Sequence, residues 1–438
     1  MPMGCFICGV TVGRLIRTTS GLLSTSCSAR YGAWRRGRHI SEMFHKLHKP
    51  NSEPRRLVVA IVANMKKFRI PFYQQLATEL ELRNITLRVV FSDPTSRECT
   101  KNDAADLEAP TGIKVTALHP LGARALVQFL PFRLVAKADL LITVQANGYL
   151  MNYVLQLLSW LKIKPVAFWG HAFNHQGNPA SAREKMKRFF ATKVDWWFTY
   201  TSRTSAYLVA LGFPARRISV IENAVDTSGF ASEVVKCKLN GIDAFRSGIS
   251  GCEDPFIALY CGSLYPEKQL PFLLEVGDLL AARHANFRLL VVGDGPDRDR
   301  IRNAISTRHW LKDFGPQFGH EKARLFAASD IFLNPGLVGL AILDSFAAGL
   351  PFITAERVDH SPEFAYLQHQ NNGLLLPFEV RTFADGVETI MADRCLRSAL
   401  CRGATASAAR LTLENMVRNV ADGICRCLQS NSRVADTH

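Results

Sequence analysis

The strongest constraint in this 438-residue chain is a repeated alternation: a near-continuous apolar run, a turn, then a segment with helical spacing. The first run is Leu57-Val-Val-Ala-Ile-Val-Ala63. A strand with one wet face alternates apolar and polar residues. A continuous apolar run belongs to a strand covered on both faces, as in a parallel sheet flanked by helices. The pattern continues through Thr86–Phe91, a weaker strand at Ile113–Leu118, Ala138–Thr143, Pro165–Trp169, Trp196–Tyr200 and Ile218–Ile221. It starts again at Phe256–Tyr260, Phe287–Val292, a short strand and loop at 310–319, and Asp330–Leu333. Two successive series predict an α/β chain with two Rossmann-like parallel-sheet domains. Such sheets bind ligands beyond the carboxyl ends of their strands, and with two domains that means the cleft between them.

A chain of this length exceeds one ordinary core, which agrees with two domains. Residues 57–226 are expected to form the N-terminal domain, and residues 255–410 the C-terminal one. Between them, 227–254 are polar with no clear period and read as a link and surface excursion. Residues 411–438 read as a closing helix and tail. Residues 1–56 hold ten Lys/Arg and two acids, so +8 of the total +15 lies there. This basic extension is left out of the fold. It reads as a transit peptide, a disordered arm, or sequence ahead of a true start at Met43.

The remaining +7 suits anionic substrates or an anionic membrane surface, and no nucleic-acid-binding module accompanies it. The eleven cysteines have no framework spacing and are expected to be free thiols, and the twelve histidines form no metal-ligand pattern. The longest near-apolar run, Tyr153–Leu161, is too short to cross a bilayer. The expectation is a cytoplasmic protein with peripheral contact to the inner face of the plasma membrane.

One stretch concentrates the chemistry. Asn334–Pro351 reads strand end, loop with Gly336 and Gly339, helix, then Gly349 and Pro351 before the next strand. A helix that opens at a strand's carboxyl end directs its free N–H groups at whatever lies above the sheet, which favours an anion. Asp344 stands in the early turns of that helix as an acceptor for ribose hydroxyls. A βαβ turn in any α/β protein would read similarly on this stretch alone.

Three further motifs accompany it in order: Gly262-Ser-Leu-x-x-x-Lys268, Gly293-Asp-Gly-Pro296, and Gly319 with Glu321-Lys-Ala…Phe326-Ala-Ala-Ser-Asp-Ile331. Together with Gly339–Pro351, these make residues 256–377 resemble the nucleotide-sugar domain of retaining glycosyltransferases of family 4. The N-terminal half agrees more loosely through Arg69-Ile-Pro-Phe72, Trp169-Gly-His171, Tyr200-Thr201 and Asn223-Ala-Val-Asp226. That pattern is similar to bacterial enzymes that assemble surface polysaccharides. The resemblance implies a B-type glycosyltransferase fold, a nucleotide-diphosphate sugar donor, a glycan or lipid-linked acceptor, retention of anomeric configuration, and no metal ion or other cofactor.

Carried over residue by residue, it assigns donor binding to Gly262, Ser263, Gly293, Gly295, Gly336, Leu337, Val338, Gly339, Leu340 and Asp344. His171 and Lys268 are the catalytic candidates. Lys268 would meet the charge growing on the departing diphosphate, a task for fixed cations and N–H dipoles. Two positions depart from the family. Gly336 stands where an acidic residue is usual, so backbone N–H groups from Gly336 to Gly339 would hold the donor, and Glu363 is the candidate to take the missing acid's hydroxyl. Ser263 replaces an arginine. On the acceptor side, Lys66, Lys67 and Arg69, with Phe72, Tyr73 and the apolar helix at 149–162, suggest an acceptor or membrane face, although that helix also fits a core position. The two departures keep a non-catalytic sugar-nucleotide binder open, and an epimerase of related fold is the other alternative.

Overall fold

The computed structural model describes residues 55–94, 104–120, 125–172, 181–252, 254–357 and 360–435. The expectations for the N-terminal extension lie outside these residues, apart from its last two positions.

The first series forms a seven-stranded sheet. Its strands are β1 (Arg56–Ile61), β2 (Ile85–Phe91), β3 (Gly112–Lys114), β6 (Leu140–Val144), β7 (Val166–Gly170), β8 (Trp196–Thr199) and β9 (Ile218–Val220). All pair in parallel, in the order β9-β8-β7-β6-β1-β2-β3. A short antiparallel pair, β4 (Ala117–Leu118) and β5 (Val127–Gln128), lies outside it. The stretch expected as one strand at 113–118 is thus two strands in different sheets. The second series forms a parallel six-stranded sheet in the order β12-β11-β10-β13-β14-β15. Its strands are β10 (Phe256–Cys261), β11 (Phe287–Val292), β12 (Leu311–Gly315), β13 (Ile331–Leu333), β14 (Phe352–Ala355) and β15 (Gly373–Leu376).

The apolar runs are covered on both faces, as their composition requires. Val58, Val59, Leu140 and Leu141 are fully buried, as are Leu289, Leu290 and Val291. Chain order reverses between β1 and β6 in the first sheet and between β10 and β13 in the second. At such a switch point the loops leave on opposite sides and open a crevice above the strand ends.

The helices that matter below are α1 (Ile70–Glu81), α2 (Phe132–Lys137), α3 (Met151–Trp160), α4 (Ala182–Ala191), α5 (Ser202–Ala210), α6 (Ser228–Leu239), α7 (Ile242–Ser250), α8 (Leu270–Arg283), α9 (Arg298–Ile305), α10 (Gly319–Ala327), α11 (Ala341–Ala347), α12 (Val380–Ala392), α13 (Arg394–Arg410) and α14 (Leu413–Ala435). The span expected as a link, 227–254, contains α6 and α7. Its hydrophobic signal is weak because α6 buries only Val234 and Cys237, and α7 only Ser250. Gly241 and Gly251 stand at the ends of α7 with φ of 80° and 70°, which glycine adopts without strain, so the boundaries were marked although the period was not.

Helix α14 ends the described chain by packing on the first sheet, not the second. Arg83 reaches Asp422 at 2.6 Å, and Arg426 donates to Ser219 Oγ at 3.1 Å. The contact depends on Gly423: a Cβ there would lie 2.4 Å from Ser219 Oγ and 2.6 Å from the Phe198 ring. Gly423→Val is therefore expected to lower stability by about 1–3 kcal/mol through overpacking. A fall in melting temperature without loss of soluble protein checks it.

Candidate active site

Two loops distant in sequence meet at the switch point of the second sheet. The first follows β10 and carries Gly262, Ser263 and Lys268. The second follows β13 and carries Asn334 to Leu340. Leu337 N–H donates to Glu267 O at 2.8 Å, and Lys268 Nζ donates to Leu337 O at 2.5 Å. Gly336 has no room for a side chain: a Cβ would sit 2.3 Å from the Lys268 carbonyl carbon and 2.5 Å from Glu267 O. The missing acid is thus a packing matter as well as a chemical one. On this backbone no carboxylate can leave position 336.

Lys268 is buried within the 3-10 turn Pro266–Lys268, with its ammonium 5.5 Å from the Tyr265 ring centroid. Burial pushes its pKa down from 10.5 to about 8, with the Glu267 carboxylate opposing. A buried cation beside a switch-point loop is unlike a solvated loop lysine, since its desolvation cost needs an anion or dipole in return.

Gly293 and Gly295 follow β11 and interlock with the first loop. A Cβ on Gly293 would meet Gly262 O at 1.8 Å, and one on Gly295 would meet Leu264 O at 2.3 Å. The two turns exchange hydrogen bonds, Leu264 N–H to Asp294 O at 2.9 Å and Asp297 N–H to Leu264 O at 3.0 Å. Ser263 is exposed, and its carbonyl accepts from Tyr260 Oη at 2.9 Å.

The second loop keeps some of the N–H groups expected to face a ligand. Leu337 N–H is taken by Glu267 O. Val338 N–H donates to His360 Nδ1 at 3.3 Å, so the proton of this imidazole sits on Nε2, which donates to Ala355 O at 2.8 Å. Val338 is buried, whereas Gly339 and Leu340 are partly exposed at the start of α11. Asp344 does not stand open either: Lys322 Nζ from α10 lies 2.7 Å from its Oδ2. Sequence reading missed Lys322. Its signal was the Glu321-Lys-Ala motif, whose spacing shows nothing of what the lysine reaches.

Glu363 is buried, and both its oxygens are engaged. Oε1 accepts from Asn223 Nδ2 at 2.6 Å, and Oε2 from Ser361 Oγ at 2.6 Å. Asn223 Oδ1 in turn accepts from Arg69 Nη2 at 2.5 Å, and Ser361 Oγ also contacts Val338 O. A continuous polar chain therefore joins Arg69, on the first-sheet side, to the Val338 loop of the second. Tyr366 Oη supports it from Asn223 O at 3.1 Å and Tyr200 O at 3.3 Å.

On the first sheet, a cavity of about 270 Å³ opens at the switch point, above the ends of β1 and β6. Lys66, Phe68, Arg69, Tyr73, Trp169 and Tyr200 line it. His171 stands beyond β7 with its ring 4.5 Å from that of Tyr200, and Arg69 lies 6.0 Å over the same Tyr200 ring. Lys66 is partly buried and Lys67 exposed. Phe72 and Tyr73 do not form a surface patch: both are buried, and Phe72 packs edge-on to Trp169 at 5.3 Å. The structure thus brings Arg69, His171 and Tyr200 together at one set of strand ends, and Lys268 with Gly336–Leu340 at the other.

Lys268 sets a pH dependence. Its folded pKa lies below the unfolded value, so the unfolded chain holds the extra proton between about pH 8 and 10.5. The penalty of burying the ammonium is present in full below that window and is relieved as pH rises through it. Stability of the free protein is therefore expected to rise relative to Lys268→Met between pH 8 and 10.5, measured by denaturant midpoints of both proteins.

Comparison with known proteins agrees with this architecture. Residues 255–393 match the family model described as Glycosyl transferases group 1. The chain is 26% identical over 215 residues to an exopolysaccharide phosphotransferase of Streptomyces coelicolor, covering 47% of this chain and 20% of that protein. It is 30% identical over 200 residues to a GDP-mannose-dependent alpha-mannosyltransferase of Mycobacterium tuberculosis, covering 44% and 47%. The chain thus spans less than half the length of these curated relatives. Among solved structures, Anabaena HepE in complex with UDP superposes with a TM-score of 0.58 at 16% identity, over 84% of this chain and 99% of that one. The chain is therefore similar to the Glycosyl transferases group 1 family over residues 255–393, and it has the two-sheet B-type glycosyltransferase fold.

Proposed function

We propose that this protein is a retaining, metal-independent glycosyltransferase that moves a sugar from a nucleotide diphosphate to a glycan or lipid-linked acceptor. The observation that carries the reading is the buried Lys268, held at the second sheet's switch point by the loop that follows β13. The diphosphate would lie above the ends of β10 and β13, with its charge met by the Lys268 ammonium and the N–H groups of Gly339 and Leu340. As the bond to the anomeric carbon breaks, negative charge grows on the leaving phosphate. A prepositioned cation in a dry site lowers that barrier without reorganising. Arg69 and His171 line the acceptor side, where they position the incoming hydroxyl. Retention and metal independence rest on the family resemblance, and the UDP complex of a protein with this fold supports a nucleotide donor.

The test is a transfer and hydrolysis assay over UDP-, GDP-, TDP- and ADP-sugars, with and without chelator. Turnover is expected with one donor class and unchanged by chelator. Lys268→Met is expected to lower kcat by about 10²-fold or more, with the fold intact by circular dichroism. A second reading has its own support. Gly336 excludes an acid, and Glu363 and Asp344 are already partnered, which favours a sugar-nucleotide binder without catalysis. Binding in a thermal-shift screen with no turnover of any donor would establish that reading.

The lipid-linked acceptor draws on a separate surface. The composition of helix α3 fits a core position as well as a surface one, but only its inner side is buried. Leu150, Val154, Leu157 and Leu161 recur at helical spacing and are all exposed, with Trp160 71% exposed beside them. Phe189 and Met186 of neighbouring α4 are exposed too, and Tyr153 packs edge-on to Phe190 at 5.1 Å, joining the two helices. Exposed Lys162, Lys185 and Lys193 lie along this face. An apolar stripe with a basic rim suits shallow insertion into an anionic leaflet. No helix of the described residues is long and apolar enough to cross a membrane. The chain is expected to co-sediment with phosphatidylglycerol-containing vesicles at low salt, less at moderate salt, and much less after Leu157→Glu with Trp160→Glu. Equal recovery of wild type and variant in the pellet would remove the membrane reading.

A further inference from the structure

Helix α6 carries Glu233 and Cys237 four residues apart, so both side chains leave one face of the helix. Helix α10 packs against α6 and presents His320 from its first turn. Glu233 Oε1 lies 2.8 Å from His320 Nδ1, and Cys237 Sγ lies 4.0 Å from the same nitrogen. All three donor atoms fall within 4.8 Å of one another. An ordinary Glu–His ion pair accounts for the carboxylate and the imidazole. It does not account for a buried thiol directed at the same ring nitrogen from the same helix as the carboxylate.

Thiolate, imidazole and carboxylate together form the donor set of a borderline-soft divalent ion. Around tetrahedral zinc such atoms stand roughly 3.3–3.5 Å apart. Relative to His320 Nδ1 the sulfur would close by about half an ångström and the carboxylate withdraw by a similar amount, while sulfur and carboxylate, within 4.8 Å of each other, would close by up to about 1.3 Å, movements within the reach of side-chain torsions. Lys236 holds the other carboxylate oxygen, Glu233 Oε2, at 3.2 Å, which orients Oε1 toward the histidine. His320 is exposed, so an ion can enter from solvent and keep water as its fourth ligand.

We propose that Glu233, Cys237 and His320 form a zinc site that fastens α6 to α10. The site is independent of the transfer reaction. Its structural consequence runs through α10, because Lys322 stands two residues after His320 and holds Asp344 at the start of α11. The ion takes the sulfur as thiolate, so binding releases the thiol proton to solvent.

The test uses the full chain, reduced, stripped with chelator and titrated with Co²⁺. The expected result is one equivalent bound with a thiolate-to-cobalt charge-transfer band in the near ultraviolet. The band should be displaced by Zn²⁺, and added Zn²⁺ should raise the melting temperature. Cys237→Ser should abolish the band, and His320→Gln, a change at an exposed side chain, should weaken binding by about tenfold or more. These variants separate this site from the cysteines at 5 and 8. A band that persists unchanged in both variants would overturn the proposal, as would cobalt bound without a thiolate band or no binding tighter than millimolar. If Cys237→Ser does not fold, the affinity of His320→Gln decides alone.

Discussion

The close approach of the Glu267–Lys268 backbone to Gly336 is the constraint on which the rest of the candidate site depends. Two loops that leave neighbouring strands at a switch point would ordinarily diverge. Here they are drawn together until no side chain fits between them. The approach lets Leu337 N–H reach Glu267 O and lets Lys268 reach back to Leu337 O. The lysine is buried by this contact, and its lowered pKa follows from that burial. Gly293 and Gly295 repeat the device one strand over, where they let the loop after β11 run against the loop after β10. The glycines of this site are thus first a means of packing loop backbones. Any ligand they receive lies on the surface that packing creates.

A second consequence is that the acidic residues near the loops are structural partners. Asp344 is paired by Lys322, and Glu363 is the centre of a polar chain from Arg69 through Asn223 to Ser361 and Val338. A buried carboxylate with both oxygens bonded is costly to disturb, because removing either partner leaves an unsatisfied charge. This chain connects the strand ends of the first sheet to the loop of the second. Helix α14 adds a covalent return, since the chain leaves the second sheet and packs finally on the first.

The first sheet has a different economy. Its strand ends are aromatic, with Trp169, Tyr200 and His171 clustered around Arg69 and the 270 Å³ cavity. Its outer helices turn apolar side chains to solvent. The same apolar composition in α3 therefore serves two purposes. Leu155 is buried against the sheet while Leu157 and Trp160 are not, and hydrophobicity alone does not separate them.

What the sequence determined by itself was the α/β class, two parallel sheets and most of their strands, because a strand covered on both faces must be apolar throughout. It also marked the glycine loops at the strand ends. Helices α6 and α7, and the segment 127–137 with β5 and α2, escaped it, because short or shallowly buried elements leave little periodic signal. Only the tertiary structure decided which motif residues touch. That Lys268 reaches Leu337, that Gly336 has no room for an acid, and that Glu363 joins Asn223 140 residues away all depend on crossover connections that set distant loops side by side. Local periodicity carries no term for such contacts. They arise from sheet order, and sheet order is settled by how the whole core packs.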